Sequence, residues 1–223
     1  MENVSVIIPA YNEEKTIGQV IDLIKENNKN CEIIVVDNCC TDNTDKVAKQ
    51  KQVKLVYADK KGKGYAMEEG LKHASNEIVV FLDADILDYN RNLIQMLVEP
   101  IKTNNIDFVK SSFERTKGGM VTEIATKPLL EIIFPEVYPF QEPLSGMIAG
   151  KKEWLEKIVF EKDYGVDIGI VIDMTKLGAK IAEVNIGKIE NMSHLIKTTE
   201  SMRKMSTEII NAIIKKARQY HKF

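Results

Sequence analysis

Mostly apolar runs alternate with segments of helical periodicity through roughly the first 90 residues of the chain. The runs are short and rich in valine and isoleucine, which is typical of strands buried on both faces of a sheet. They are Val4–Tyr11, Cys31–Asn38, Val53–Ala58 and Glu77–Asp85. Between them, helices are predicted from Glu13 to about Asn27 with Asn12 as the cap, from Thr41 to Gln50, and after Gly62–Gly64. This alternation predicts an α/β fold with a mostly parallel sheet covered by helices.

The rest of the chain is less regular but mixes the same elements. Helices are predicted at Arg91–Thr103, after the turn that opens GGMVTEIATKPLLEIIF with an interruption near Pro128, at about Val166–Gly178 and from about Thr198. Strands are predicted at Ile106–Arg115, at the start of Gly146–Leu155 and at Lys180–Gly187. The last helix carries apolar residues on one face and basic residues in its last turn, where the helix dipole favours cations. The apolar residues are Met202, Met205, Ile209 and Ile213, and the basic ones are Lys215, Lys216 and Arg218. Without repeats or low-complexity linkers, residues 1–223 are predicted to form a single domain.

Polar residues follow three of the predicted strands. They are Pro9-Ala10-Tyr11, Asp37-Asn38 and Asp83-Ala84-Asp85. Ligands of open α/β sheets bind at the carboxyl ends of the strands, so these residues are predicted to converge on one edge.

Asp83 and Asp85 point the same way if the strand geometry continues to its end. Paired carboxylates suit Mg²⁺ or Mn²⁺, although one of them could instead bind a sugar hydroxyl, or both could be solvated acids. The turn Gly62-Lys63-Gly64 lies about twenty residues earlier. Its glycines would let backbone approach a ligand closely, and Lys63 offers a charge for a phosphate.

The composition narrows the class of partner. Lys and Arg number 31 against 33 Asp and Glu, which argues against general binding to nucleic acid or anionic membranes. The three cysteines, Cys31, Cys39 and Cys40, show neither a disulfide framework nor zinc-ligand spacing. No apolar run approaches the ~20 residues that span a bilayer, and the chain starts without a leader pattern. We therefore expect a cytoplasmic protein.

Four segments together resemble the nucleotide-sugar-binding half of GT-A fold glycosyltransferases of the family 2 type. They are VSVIIPAYNEEKTI, EIIVVDNCCTDNT, GKGYAMEEGLKHA and VVFLDAD, and their order and spacing match over roughly residues 3–90. In the second half, GGMVTE, KPLLEIIFP, PLSGMIAGKKEWL and YGVDIG resemble glucosyl-3-phosphoglycerate synthases, which move glucose from a nucleotide donor to 3-phosphoglycerate. The resemblance implies a GT-A fold with about residues 1–90 binding the nucleotide sugar, 91–195 the acceptor, and a C-terminal helical extension at about 198–220.

The resemblance also implies roles at the donor end. Residues matching the base and ribose contacts are Pro9, Ala10, Tyr11 and Glu13, with Asp37 or Asn38 reading the base, Lys63 near the donor, and Ala84 within the DAD motif. Asp83 matches a contact to the donor sugar or ribose and is a catalytic candidate, and Asp85 matches the metal ligand for Mg²⁺ or Mn²⁺. A cation and Lys63 would stabilise the charge of the leaving diphosphate.

The acceptor side departs from the family at three places. Gly118, Gly119 and Thr122 match a loop that holds the acceptor phosphate, but Met120 stands where the family has arginine, the natural bidentate phosphate ligand. Asp167, the second catalytic candidate, replaces a longer glutamate beside the acceptor.

The third departure concerns the metal. Ile189, Asn191 and Ser193 stand where the family has arginine, histidine and asparagine. Asn191 could still offer an oxygen ligand, and His194 could supply the missing one if the loop shifts by three residues.

The resulting expectation is a metal-dependent transferase that moves a sugar, expected to be glucose, from a UDP- or GDP-sugar to a small phosphorylated acceptor such as 3-phosphoglycerate. The departures leave open a changed acceptor. One alternative is a polyprenyl- or dolichyl-phosphate sugar transferase with the last helix on a membrane, and another is a non-catalytic sugar-nucleotide-binding protein. For the apolar face of the last helix, packing in the core or in a homodimer is favoured over membrane contact.

Overall fold

The computed structural model describes residues 3–28, 30–86, 90–115, 119–189 and 198–221. The strands are β1 (Val4–Ala10), β2 (Glu32–Asp37), β3 (Lys54–Tyr57), β4 (Ile78–Phe81), β5 (Phe108–Arg115), β6 (Ile148–Lys151) and β7 (Ile181–Ile189). The helices are α1 (Ile17–Asn27), α2 (Thr44–Gln50), α3 (Lys63–His73), α4 (Leu93–Thr103), α5 (Lys127–Ile133), α6 (Lys152–Leu155), α7 (Val166–Lys176) and α8 (Thr199–Gln219). A π-helical segment, Val121–Thr126, leads directly into α5.

The strands form one seven-stranded sheet in the order β3-β2-β1-β4-β6-β5-β7. All neighbouring pairs are parallel except those of β6, which runs antiparallel to both β4 and β5. This confirms the predicted mostly parallel α/β sheet. Because β6 links β4 to β5, the first four strands and the later part of the chain share one sheet.

Helices bury both faces of the sheet, which explains why the central strands are apolar throughout. One core cluster joins the sheet to α3, α5, α7 and α8, and the other joins it to α1 and α4. Ile209 and Ile213 of α8 are buried in the first cluster, so the apolar face of this helix packs in the core. Among the described residues, no helix is both long enough and apolar enough to cross a bilayer.

The start of α1 differs from the prediction. Glu13 to Thr16 form a turn, and the helix begins at Ile17 rather than at Glu13. Asn12 does not cap it: the residue takes a left-handed backbone conformation (φ 56°), and its Oδ1 accepts a hydrogen bond from the backbone N of Thr41 at 2.8 Å. Asn12 therefore fastens the end of β1 to the loop after β2.

Candidate active site

The centre of the candidate site is an ion-pair cluster around Lys63, the first residue of α3. Its Nζ lies 2.9 Å from Oδ1 of Asp83, just beyond β4, and 2.9 Å from Oδ2 of Asp167, in the first turn of α7. Both contacts are hydrogen-bonded ion pairs. The fold thus brings together Lys63, the lysine predicted to lie near the donor, and the two catalytic candidates, from three separate parts of the chain.

Burial and charge oppose each other in this cluster. Burial disfavours the charged form of Lys63, but Asp167 and Asp83 outweigh it and hold the pKa of the ammonium well above its ordinary value. Burial raises the pKa of Asp167, against the attraction of Lys63. The other carboxylate oxygen of Asp167, Oδ1, is buried and has no hydrogen-bond partner in the part of the chain that the structure describes. Such an atom is costly unless a ligand or water supplies a donor.

The glycines on either side of Lys63 accommodate protein backbone. Residues 159–165, which we call the strap, pass over the start of α3, and the backbone N of Gly64 donates to the carbonyl O of Lys162 at 2.9 Å. A Cβ on Gly64 would lie 1.6 Å from the carbonyl O of Glu161, and one on Gly62 2.4 Å from that of Lys162. Gly62 also has φ 149°, which side chains rarely allow. Both glycines therefore make room for the strap, a reason the sequence did not reveal.

The strap is held from its other side by α8. Lys216, which is fully buried, places its Nζ 2.5 Å from Oδ2 of Asp173 on α7 and 3.6 Å from Oε1 of Glu161 in the strap. Lys215 adds an ion pair of 2.9 Å to Oε2 of Glu161. The basic end of α8 thus anchors the segment that packs on the donor lysine.

A third glycine, Gly146, lies against the ion-pair cluster. A Cβ there would sit 2.5 Å from Nζ of Lys63 and 2.6 Å from Oδ1 of Asp83. The backbone before β6 therefore forms a wall of the site, and any side chain at this position would displace the pair.

The predicted base-binding residues lie where parallel strands end. Pro9 and Ala10 are the last residues of β1, and Tyr11 is 39% exposed with Nζ of Lys61 3.8 Å from its ring centre. The carbonyl O of Ala10 accepts from the backbone N of Asn38 at 2.9 Å, which joins the ends of β1 and β2. This leaves an aromatic face with an adjacent cation at the sheet edge, where a base could stack.

Asp37 and Asn38 are buried, and their side chains serve the local backbone. Oδ1 of Asp37 accepts from the N of Cys40 at 2.8 Å, and Oδ1 of Asn38 accepts from the N of Gly62 at 2.9 Å. Asn38 thus ties the end of β2 to the turn that presents Lys63. These bonds shape the base end of the site.

Negative charge concentrates at the predicted metal position. Burial raises the pKa of Glu13, and the nearby carboxylates of Asp85 and Asp83 add to the rise. Carboxylate oxygens are the hard ligands that a divalent cation such as Mg²⁺ or Mn²⁺ prefers. The described residues contain no group of three His, Cys, Asp or Glu side chains that could hold a metal, and the predicted further ligands, Asn191 and His194, lie outside them.

On the acceptor side, Gly118 lies outside the described residues, and the π-helical segment begins three residues later, at Val121. Gly119 has φ 88°, a conformation that favours glycine, and its carbonyl O accepts from the N of Glu123 at 2.9 Å. Thr122 is buried, whereas Met120 is 63% exposed. The methionine that replaces the family arginine therefore sits at an accessible helix start.

Sequence reasoning missed Lys110, a fully buried lysine on β5 that interacts electrostatically with Asp167, Lys63 and Asp83. The sequence carried no clear signal for it, because Lys110 stands among other polar residues in FVKSSFER and its burial follows from the pairing of β5 with both β6 and β7.

Comparison with known proteins identifies the family. The profile of glycosyl transferase family 2 matches residues 5–162. The chain belongs to glycosyl transferase family 2. It is accordingly a nucleotide-sugar-dependent glycosyltransferase, as the resemblance predicted. The sheet and helices match the GT-A fold of a solved relative with a TM-score of 0.89.

Several relatives of this family 2 chain are named glucosyl-3-phosphoglycerate synthase. The chain is 34% identical to the synthase of Mycobacterium tuberculosis (strain ATCC 25618 / H37Rv) over 95% of this chain and 72% of the relative. It is 32% identical to the synthase of Petrotoga mobilis over 98% of this chain and 74% of the relative. A dolichol-phosphate mannosyltransferase of Pyrococcus furiosus matches at 31% over 70% of this chain and 48% of the relative.

A crystal structure of the M. tuberculosis synthase contains Mn²⁺, UDP-glucose and phosphoglyceric acid. It is 34% identical, covers 97% of this chain and 80% of its own, and superposes with a TM-score of 0.90. Another structure of that enzyme holds Mg²⁺ and UDP. The likeness therefore extends from the donor end through the acceptor side of the family 2 fold.

Proposed function

We propose that this chain is a metal-dependent glucosyltransferase that moves glucose from UDP-glucose to 3-phosphoglycerate or a closely similar phosphorylated acceptor. The observation that carries the proposal is the contact of Lys63 with both Asp83 and Asp167. One ammonium joins the carboxylate expected at the donor sugar to the carboxylate expected at the acceptor. Transfer requires donor and acceptor to meet at one such point.

At the donor end, Pro9, Ala10 and Tyr11 would bind the uridine, with Asp37 and Asn38 shaping that end of the pocket. Asp85 would hold the cation, with Asn191 or His194 as candidates to complete its ligands. A bound Mg²⁺ or Mn²⁺ neutralises charge on the departing diphosphate. We assign residues 1–90 to donor binding, 91–195 to acceptor binding and 198–220 to the anchoring helix.

In the transfer itself, the bond between the sugar's anomeric carbon and the β-phosphate oxygen breaks, and UDP leaves with the electron pair. A new bond forms between that carbon and an acceptor hydroxyl oxygen, whose proton passes to solvent water. Lys63 offsets the charge that develops on the diphosphate, and Asp83 and Asp167 fix its ammonium in place. Oδ1 of Asp167, which has no hydrogen-bond partner among the described residues, is suited to accept a bond from a substrate hydroxyl.

At the acceptor end, Gly118, Gly119 and Thr122 would hold the phosphate at the start of the π-helical segment, where helix geometry favours anions. Met120 cannot supply the bidentate contact of an arginine. We therefore expect weaker phosphate binding than an arginine would give.

Nucleotide binding tests the donor half of the proposal. Thermal shift with UDP, GDP and UDP-glucose, each with and without Mn²⁺, should show stabilisation by the uridine compounds that depends on the metal. Asp85→Ala should abolish the metal dependence. Asp45→Ala, which alters an acid of α2 paired with Lys49, should leave it intact. Equal shifts in Asp85→Ala and the parent would contradict the assigned metal ligand, and no shift with any nucleotide would contradict the donor site.

A further inference from the structure

Lys110 lies inside the sheet next to the candidate site. It is the third residue of β5, its side chain is fully buried, and its Nζ donates to the carbonyl O of Ser145 at 2.6 Å. Burying an ammonium costs free energy unless opposite charges and hydrogen bonds stabilise it. The role of this lysine is therefore to be sought in what its ammonium faces.

Lys110 helps to hold the loop that forms the wall of the site. Its neighbour Ser111 bonds to the same loop residue, with 2.6 Å between the two hydroxyl oxygens of Ser111 and Ser145. Gly146 follows directly and touches the Lys63–Asp83 pair so closely that a Cβ would not fit. Two contacts from β5 thus fix the loop residue that precedes this wall.

The ammonium of Lys110 also interacts with the charged side chains of the site. Asp167 and Asp83 attract its ammonium, as does Glu142 in the loop before β6, and Lys63 repels it. Burial lowers the pKa of Lys110 to about 8, so the group is charged at neutral pH. Because Lys63 divides its contacts between Asp83 and Asp167, Lys110 is a second cation that acts on Asp167.

We propose that Lys110 is a positioning residue of the transfer site, which orders Ser145–Gly146 against the Lys63–Asp83 pair and acts as a second cation that keeps Asp167 ionised. The proposal rests on the proposed function, since it assigns Asp167 a part in transfer. It does not make Lys110 a substrate contact.

Three variants separate this role from simple packing. Lys110→Met removes the charge and keeps the chain length. Ser111→Ala removes one bond to Ser145 and keeps the charge. Lys151→Met is the matched control. Lys151 is a partly buried lysine at the other end of β6, and its Nζ pairs with Oδ1 of Asp107 at 2.6 Å.

For each variant, circular dichroism checks folding, calorimetry gives the Kd of UDP with Mn²⁺, and steady-state kinetics give kcat and KM across the pH range. For Lys110→Met we expect a kcat lower by about 100-fold, since misplaced reacting groups cost about that much. The Kd of UDP should stay near the parent value. The acid limb of the kcat profile should move to higher pH, because loss of a nearby cation favours protonated Asp167.

Ser111→Ala should lower kcat by less than about tenfold with no shift of the acid limb, since one neutral hydrogen bond contributes little. Lys151→Met should change melting temperature only. The proposal is overturned if Lys110→Met melts at a lower temperature than the parent but has the same kcat and the same acid limb as Lys151→Met.

A measurement without turnover keeps this proposal separate from the proposed function. The side-chain carboxyl ¹³C signal of Asp167, assigned with Asp167→Asn, can be titrated in parent and Lys110→Met. We expect its midpoint to rise by at least about one pH unit in the variant, and an unchanged midpoint contradicts the proposal even if the parent transfers no glucose.

If Lys110→Met fails to fold, the titration of the parent protein alone tests the proposal. Its Asp167 signal should show a second inflection near pH 8, where Lys110 loses its proton. Absence of that inflection overturns the proposal.

Discussion

Replacing Gly64 with alanine should disturb both the stability of the fold and the donor lysine. Gly64 is the second residue of α3, directly after Lys63, and the new Cβ would lie 1.6 Å from the carbonyl O of Glu161. The strap has to retreat by about 1.4 Å before that contact reaches even 3.0 Å. Its hydrogen bond from Gly64 N to Lys162 O, now 2.9 Å, is then lost.

Two unfavourable contributions and one favourable contribution set the change in the free energy of unfolding. Overpacking costs about 1–3 kcal/mol, and the lost hydrogen bond costs about 1 kcal/mol. Alanine gains about 1 kcal/mol of helix propensity over glycine. The net loss is about 2 kcal/mol, or roughly 4–8 °C in melting temperature for a domain of this size. Because the strap packs on the turn that carries Lys63, kcat/KM should fall by about 100-fold.

Gly18→Ala is the matched control for Gly64→Ala. Gly18 is also near the start of a helix, but its Cβ would meet only side-chain atoms, at 3.2 Å on Val47 and 3.5 Å on Lys51. Urea denaturation and steady-state transfer assays on both variants give the comparison. If Gly64→Ala matches Gly18→Ala in both, the strap does not position Lys63 and the reasoning fails.

Three further results are expected. Lys216→Met should cost about 3–5 kcal/mol in urea denaturation because it leaves the buried carboxylate of Asp173 without its ion-pair partner, whereas Lys215→Met, whose side chain is 60% exposed, should cost less than about 1 kcal/mol; similar losses would contradict the anchoring role. Met120→Arg should lower the KM for 3-phosphoglycerate about tenfold, as a charge-assisted bond to phosphate would, and an equal effect of Ile124→Arg at another exposed position would refute the assignment. As pH rises through about 8, kcat should fall because Lys110 loses its proton. The contribution of Lys110 to stability should rise over the same range, since a lowered folded-state pKa leaves the unfolded chain holding more protons. A flat kcat profile there would contradict that role.

Local pattern was enough for most of the sheet. The apolar runs predicted β1 to β4 because strands buried on both faces must be apolar along their length. The position of β6 could not be predicted in the same way, because the pairing of Val80 with Ala149 joins residues far apart in sequence. Asn12 was misassigned, since its hydrogen bond to Thr41 is likewise non-local.

At the site, the rule that ligands meet at strand ends predicted that Asp83 lies at the same sheet edge as the ends of β1 and β2, but not that it pairs with Lys63. Only the family resemblance pointed to Asp167, because a helix-start acid is common and carries no signal of its own. Lys110 was overlooked because a single lysine in a strand reads as an exposed position until both its neighbours are known. The glycines beside Lys63 were assigned to a ligand, whereas the structure gives them a packing reason.

The most direct test of the account is turnover followed by ¹H NMR, with UDP-glucose, 3-phosphoglycerate and either Mn²⁺ or Mg²⁺. UDP and a new glucoside of phosphoglycerate should appear in equal amounts, only with the metal, and at a rate that falls steeply in Lys63→Met. Equal turnover without the metal would contradict the role of Asp85. Failure to form the glucoside with either cation, by a chain that is folded and binds UDP, would contradict the proposed transfer.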